Sequence, residues 1–251
     1  MLEIEKRPFL FKTKEIWFSE YPFDVAGYDS VTFNDCRNMI AQPDFSCTEH
    51  ATLVVDLTRD LDLIWTNMHK DWRRDIGRAQ RDGIKVKINQ DYEEFCSLNR
   101  SFKRAKSLPA WSSWPWFSQS VENMKKYGTL FVSEFDGVLS GHFYLGNEVC
   151  MRVLFGASKR LEAGMKKTML GMIGNANKLL HWEAIKYAKQ KEIKEFDFGG
   201  YYTGEPNDEM ERINFFKKGF GGQLMTRYAY ERDYSRTYAV AKHCLRAWQR
   251  S

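Results

Sequence analysis

Apolar and polar residues change spacing several times along the chain, and each change marks an element. Residues 1–50 are loosely patterned, with two β-like runs, Lys14–Glu20 and Tyr28–Phe33, set apart by turn residues. Thr52–Leu57 reads as a short strand. Thr58 then caps a helix whose apolar positions, Leu61, Ile64, Trp65, Met68, Trp72, Ile76 and Ala79, recur at helical intervals until Gly83 ends it. Ile84–Ile88 alternates as a strand does. Asp91 and Glu94 open a helix to about Lys106 in the manner of a capping box. Residues 107–117 read as a Pro- and Trp-rich loop, and a helix follows to Tyr127. Three strands, Thr129–Phe135, Val138–Leu145 and Glu148–Ala157, are joined by turns at Asp136-Gly137 and Gly146-Asn147. Residues 158–174 read as a Gly-, Lys- and Met-rich connection. Then come a helix over Lys178–Lys189, a strand at Glu195–Phe198, a helix over Asp208–Lys218, a strand from Gln223 to Tyr230, and an amphipathic helix over Arg236–Trp248.

From residue 84 the order is β-α-α-β-β-β-α-β-α-β. A meander is antiparallel and a strand-helix-strand crossover is parallel, so the expected class is α+β (mixed α/β). The architecture is a central, mostly antiparallel mixed sheet flanked by helices. Three regions are expected: a β-containing N-terminal extension (1–57) packing on the main domain, the main domain (58–232), and a C-terminal helix (233–251).

Composition narrows the class. The 251 residues are 43% hydrophobic and 28% charged, which excludes a disordered chain. Aromatics reach 15%, enough for packed cores and lined clefts. No apolar run approaches the length of a membrane span, and the N-terminal residues lack the apolar core of a signal peptide, so the expectation is a cytoplasmic protein without an integral membrane segment. The net charge of +5 permits an anionic partner without requiring one. The five cysteines are scattered, with no Cys-x-x-Cys or Cys/His cluster, so neither a metal site nor a disulfide framework is expected. Sequences typical of serine hydrolases, zinc proteases and phosphate-binding loops are absent too.

Two ordered groups of motifs carry a resemblance. The first is Asp56-Leu57, Trp65, Trp72-Arg73-Arg74-Asp75-Ile76 and Ala79-Gln80-Arg81-Asp82-Gly83-Ile84. The second is Leu180-His181-Trp182-Glu183-Ala184-Ile185, Phe196-Asp197-Phe198-Gly199-Gly200 and Phe216-Lys217-Lys218-Gly219-Phe220-Gly221-Gly222. Together, over about residues 52–232, they resemble the Fem-type peptidoglycan-bridge aminoacyltransferases, a branch of the Gcn5-related N-acyltransferase (GNAT) superfamily. The element order from residue 84 is also that of the GNAT fold. The resemblance implies a GNAT-like acyltransferase domain that forms an amide on an amino group, with aminoacyl-tRNA as donor and no permanently bound cofactor. The acceptor would be a cell-envelope precursor, lipid-linked or nucleotide-sugar, or a small molecule. Two departures stand out. Fem-type enzymes usually have two tandem GNAT-like domains, whereas this chain has room for one, so it must dimerise or use a smaller acceptor. The connection Arg160-Leu-Glu-Ala-Gly164 also lacks the R/Q-x-x-G-x-G/A loop of coenzyme-A-dependent GNATs. An acyl-CoA-dependent N-acyltransferase of an amino sugar or amino acid is one alternative, and a non-catalytic binding module on the same fold is another.

Acyl transfer to an amine needs a neutral nucleophile, a route for its proton and a donor for the developing oxyanion. The resemblance points to Lys217 at the aminoacyl-donor site; by itself the residue reads equally as a solvated lysine beside Lys218. Asp197 is a general base or substrate anchor, or it only accepts hydrogen bonds from the amides of Gly199 and Gly200. Those glycines admit a ligand close to the backbone or simply make a turn. Phe216, Trp182, Arg73, Arg74 and Trp114 complete the candidate substrate-binding set. Three basic clusters point to a polyanion such as tRNA: Lys70–Arg81, where interleaved aspartates favour local pairing; Arg100, Lys103, Arg104 and Lys106; and Lys159, Arg160, Lys166 and Lys167. His142 and His181 lack matched partners in sequence and read as structural.

Overall fold

A computed structural model describes residues 1–8, 10–107, 117, 120–162 and 164–248. The chain forms two compact units, residues 53–223 and residues 1–52 with 224–251. In the smaller unit, β1 (Leu2–Lys6) pairs antiparallel with β2 (Thr13–Trp17), β2 pairs parallel with β3 (Ser30–Cys36), and β3 pairs antiparallel with β10 (Gln223–Asp233). Its core is Ile16, Val31, Phe33, Cys36 and Tyr230. The N-terminal strand escapes the sequence pattern because its alternation, Leu2 and Ile4 against Glu3 and Glu5, is too short to register.

The larger unit carries the meander. β5 (Lys85–Ile88), β6 (Gly128–Glu134), β7 (Val138–Gly146) and β8 (Cys150–Ser158) pair antiparallel in that order, and β9 (Glu195–Tyr201) joins β8 in parallel. The last part of β4 (Ser46–Asp56) lies on the other side of β9. The sheet is therefore mixed and mostly antiparallel, as expected. Around it lie α1 (Leu61–Asn67), α2 (Lys70–Arg81), α3 (Tyr92–Ala105), α4 (Val121–Tyr127), α5 (Lys167–Gln190) and α6 (Asp208–Lys218). The final helix, α7, spans Arg236–Trp248. α5 contributes Ile173, Ala176, Leu180, Ala184, Ile185 and Ala188 to a core shared with Ile76, Phe131, Phe196 and Phe220.

Three local expectations are corrected. The helix from Leu61 is two helices: Met68 is extended, and the His69 N–H donates to the Gly219 carbonyl at 2.9 Å, so a tertiary bond replaces a helical one. The His69 side chain then caps α2 by accepting from the Asp71 N–H. The capping box at Asp91 does not form. Asp91 sits at φ 54° with no side-chain cap bond and pairs with Lys87 at 3.1 Å. The connection read over 158–174 is helical from Lys167, because two glycines inside α5 mimic a loop composition.

Candidate active site

β8 and β9 register at Cys150↔Glu195, Met151↔Phe196 and Arg152↔Asp197. Beyond that pair the strands continue to Ser158 and Tyr201 without pairing to each other, so the sheet opens next to Asp197. Asp197 is fully buried. One carboxylate oxygen forms an ion pair with Arg152, and the other accepts from the Gly199 N–H at 2.6 Å. Gly199 has φ 75°, a left-handed conformation that favours glycine, and its carbonyl and that of Gly200 lie within reach of α6. The Lys217 ammonium donates to both of them, to Gly200 O and, at 3.4 Å, to Gly199 O.

α6 is placed to hold that lysine. The Asn207 side chain caps it by accepting from the N–H groups of Glu209 (3.1 Å) and Met210 (3.0 Å). Asp208, Glu209 and Glu211 lie in its first turn and Lys217 and Lys218 in its last, as the helix dipole favours. Asn214, one turn before Lys217, accepts from Tyr202 N–H (3.0 Å) and donates to Tyr202 O (2.7 Å). That double bond fixes α6 against the segment leaving β9. On its other side Trp72 of α2 donates Nε1–H to the Phe216 carbonyl at 3.1 Å, with its ring edge-on to Phe215.

Gly219 makes this packing possible. A Cβ there would lie 2.3 Å from the Trp72 indole. Gly219→Ala is therefore expected to lower stability by about 2–3 kcal/mol, as overpacking does, through displacement of Trp72. Urea denaturation checks this, and a loss below about 0.5 kcal/mol, ordinary for a surface change, contradicts it.

Electrostatics set the protonation states. Burial pulls the Lys217 ammonium down to about 8; Asp197 opposes that shift and Arg152 adds to it. His181, on α5, is buried, and burial first, then His142 and Lys217, hold it neutral. Its Nδ1 lies 2.9 Å from the Tyr144 hydroxyl, and the rings of Phe198, Phe216 and Phe220 surround it at 5.2–5.6 Å. His142 lies against it with ring centroids 4.3 Å apart and tilted by 52°, and faces Asn177; burial lowers His142 to about 4. The two histidines that looked isolated in the sequence thus form one neutral polar pair within an aromatic shell.

The fold brings Lys217, Asp197, Gly199, Gly200 and Phe216 together. Trp182 is buried against Trp65, with ring centroids 4.8 Å apart. Arg74 is exposed and paired with Asp71 (2.8 Å) and Asp75 (3.2 Å). Arg73 is half-buried, and its Nε has no hydrogen-bond partner among the described residues. Trp114 lies outside the described residues, as do Trp111 and Trp116. Sequence reading missed Arg152, whose signal was one long charged side chain inside the otherwise uncharged run Cys150–Ser158.

No protein-family model matches the sequence, and no curated protein matches it. Among solved structures, FemX superposes with a TM-score of 0.61 at 12% identity, covering 84% of this chain and 73% of that one. The fold is similar to that of FemX. Other similar structures superpose less closely. L-PGS from Bacillus licheniformis gives a TM-score of 0.48 at 11% identity, covering 84% of this chain and 70% of that one. A tandem GNAT protein from the clavulanic acid pathway gives 0.38 at 11% identity, covering 80% and 63%. That fold is the one the sequence resemblance implied, and Asp197, Gly199, Gly200 and Lys217 lie next to the opening between β8 and β9. Among the described residues no helix is long and apolar enough to cross a membrane.

Proposed function

We propose that the protein is an acyltransferase that forms an amide on an amino group, with aminoacyl-tRNA as donor and a cell-envelope precursor or small molecule as acceptor. The carrying observation is Lys217: a half-buried ammonium, lowered to about 8, held on two carbonyls at the point where the sheet opens. In the reaction the neutral amine attacks the ester carbonyl carbon. A C–N bond forms, the C–O bond to the ribose breaks, and the proton lost by nitrogen passes to the departing ribose oxygen. Lys217 donates to the oxyanion that develops in between, where a preorganised donor acts most strongly. Asp197 is a positioning residue, because both of its oxygens are engaged in shaping the Gly199-Gly200 turn and facing Arg152.

Charge supports the donor. On α2, Arg74 and Arg78 pair with Asp71, Asp75 and Asp82. Arg100 and Arg104 of α3, with Lys159, Arg160, Lys166 and Lys167, form no ion pairs among the described residues. α3 lines a groove with Ser158, Leu161 and Glu162, so the helix carrying Arg100 and Arg104 packs beside the segment carrying Lys159 and Arg160. A surface of unpaired cations suits a phosphodiester backbone better than one pyrophosphate.

The test is transfer from labelled aminoacyl-tRNA, and its binding across a salt series. Binding is expected to weaken by about two orders of magnitude between 50 and 200 mM salt, with Arg104→Ala/Arg160→Ala lowering the log-log slope by about 1.5–2. Saturable acyl-CoA binding with little salt dependence, and no transfer from tRNA, would move the assignment to an acyl-CoA enzyme.

A further inference from the structure

α2 and α5 do not close on each other along their whole length. A groove of about 560 Å³ separates them, walled by Asp75, Arg78 and Asp82 on one side and Lys167, Thr168, Gly171, Met172 and Asn175 on the other. Its size is within the range of small-molecule sites. The α5 wall contains an anomaly. Glycine in a helix interior costs stability relative to alanine, and a tight helix-helix contact is the usual reason to keep it. No such contact exists here. At Gly171 and at Gly174, one turn further on, a Cβ would meet nothing within 4 Å. The helix thus carries two destabilising residues that its own packing does not need, and one of them faces the groove.

We infer that the α2–α5 groove is a binding site for a neutral, hydroxyl-rich small molecule, a sugar or polyol, and that Gly171 leaves room for it against the α5 backbone. The lining decides the chemistry. Asp75 is already engaged by Lys178 and Arg74, and Asp82 by Arg78, so a charged ligand finds little unpaired charge in the lining beyond Lys167. The carboxylates stand beside the Arg78 guanidinium on one wall and the ammonium, hydroxyl and amide groups of Lys167, Thr168 and Asn175 on the other, and hydroxyl groups can both donate and accept. The wall is linked to the candidate active site through contacts. Lys178 bonds Asp75 at 2.6 Å and lies 4.4 Å over the Trp72 ring, and Trp72 holds the Phe216 carbonyl.

The assignment does not depend on the acyl-transfer reading, and Lys217→Met leaves it intact. The experiment is an NMR titration of the full chain with glucose and with N-acetylglucosamine, using glycine betaine as a zwitterionic control. Saturable shifts confined to residues 75–82 and 167–175 are expected at millimolar sugar. Gly171→Gln, which extends a side chain into the groove, should weaken them at least tenfold. Gly171→Ala should raise the unfolding temperature by about 2–4 °C, since nothing obstructs its Cβ. The inference fails if neither sugar gives a saturable shift, if glycine betaine binds in preference, or if Gly171→Ala lowers the unfolding temperature.

Discussion

Lys217→Met is expected to reduce transfer at least a hundredfold while leaving the protein no less stable than before. A donor aimed at a developing oxyanion is worth about two to three orders of magnitude in rate. The stability half follows from the sign of the pKa shift. The Lys217 ammonium is lowered to about 8 in the folded chain, from an ordinary 10.5, so folding disfavours the charged form. That penalty is fully present below pH 8 and is relieved as pH rises from 8 through 10.5. Methionine fills a similar volume without charge, so the unfolding midpoint in urea at pH 7 should hold or rise. Activity has the opposite pH dependence on this group: the ammonium is the active form, and the rate should decline as pH passes about 8. Lys217→Arg stays charged throughout, so whatever activity it retains should lose that decline. Steady-state transfer from pH 6 to 10, measured beside urea denaturation, reads both halves. A Lys217→Met variant that retains full transfer removes the lysine from the chemistry.

The same residues show how far sequence reading reaches. The meander and the helix carrying Lys217 were legible because short-range periodicity and Asp-Gly turn chemistry are local signals. The long helix after Leu61 was not, because the bond that breaks it comes from Gly219, 150 residues away. The start of α5 was hidden for a different reason: Gly171 and Gly174 give it a loop-like composition although it is helical from Lys167. Among site residues, Lys217, Asp197 and the Gly199-Gly200 turn belong to compact motifs, and the fold joins them. Arg152 could not be paired in advance, since only the parallel register of β8 with β9 sets it opposite Asp197. His142 and His181 each lacked a partner in sequence because their contact links a strand to a helix residue 39 positions later.

Asp197→Asn is expected to produce the largest loss of stability. Both members of the Arg152–Asp197 pair lie inside the sheet, with side chains 11% and 1% exposed. Such a pair contributes little relative to apolar replacements of the same size, yet breaking it by removing one charge costs about 3–5 kcal/mol, because the other charge stays buried. Asparagine keeps the shape and can still accept from the Gly199 N–H, so the loss reports the charge rather than the turn. The double variant Arg152→Met/Asp197→Leu removes both charges and should recover most of that stability, although the Gly199 N–H then loses its acceptor and the turn loosens. Stability and transfer should therefore separate. Asp197→Asn is destabilised with its Gly199-Gly200 turn intact, whereas the double variant is stable but inactive because the carbonyls holding Lys217 are no longer fixed. A urea-denaturation cycle over Arg152→Met, Asp197→Leu and the double gives the coupling directly. A coupling below about 0.5 kcal/mol, within ordinary additivity, would show that the pair does not act as a unit. A double variant with wild-type transfer would show that Lys217 needs no fixed turn beneath it, and Asp197 would lose its positioning role.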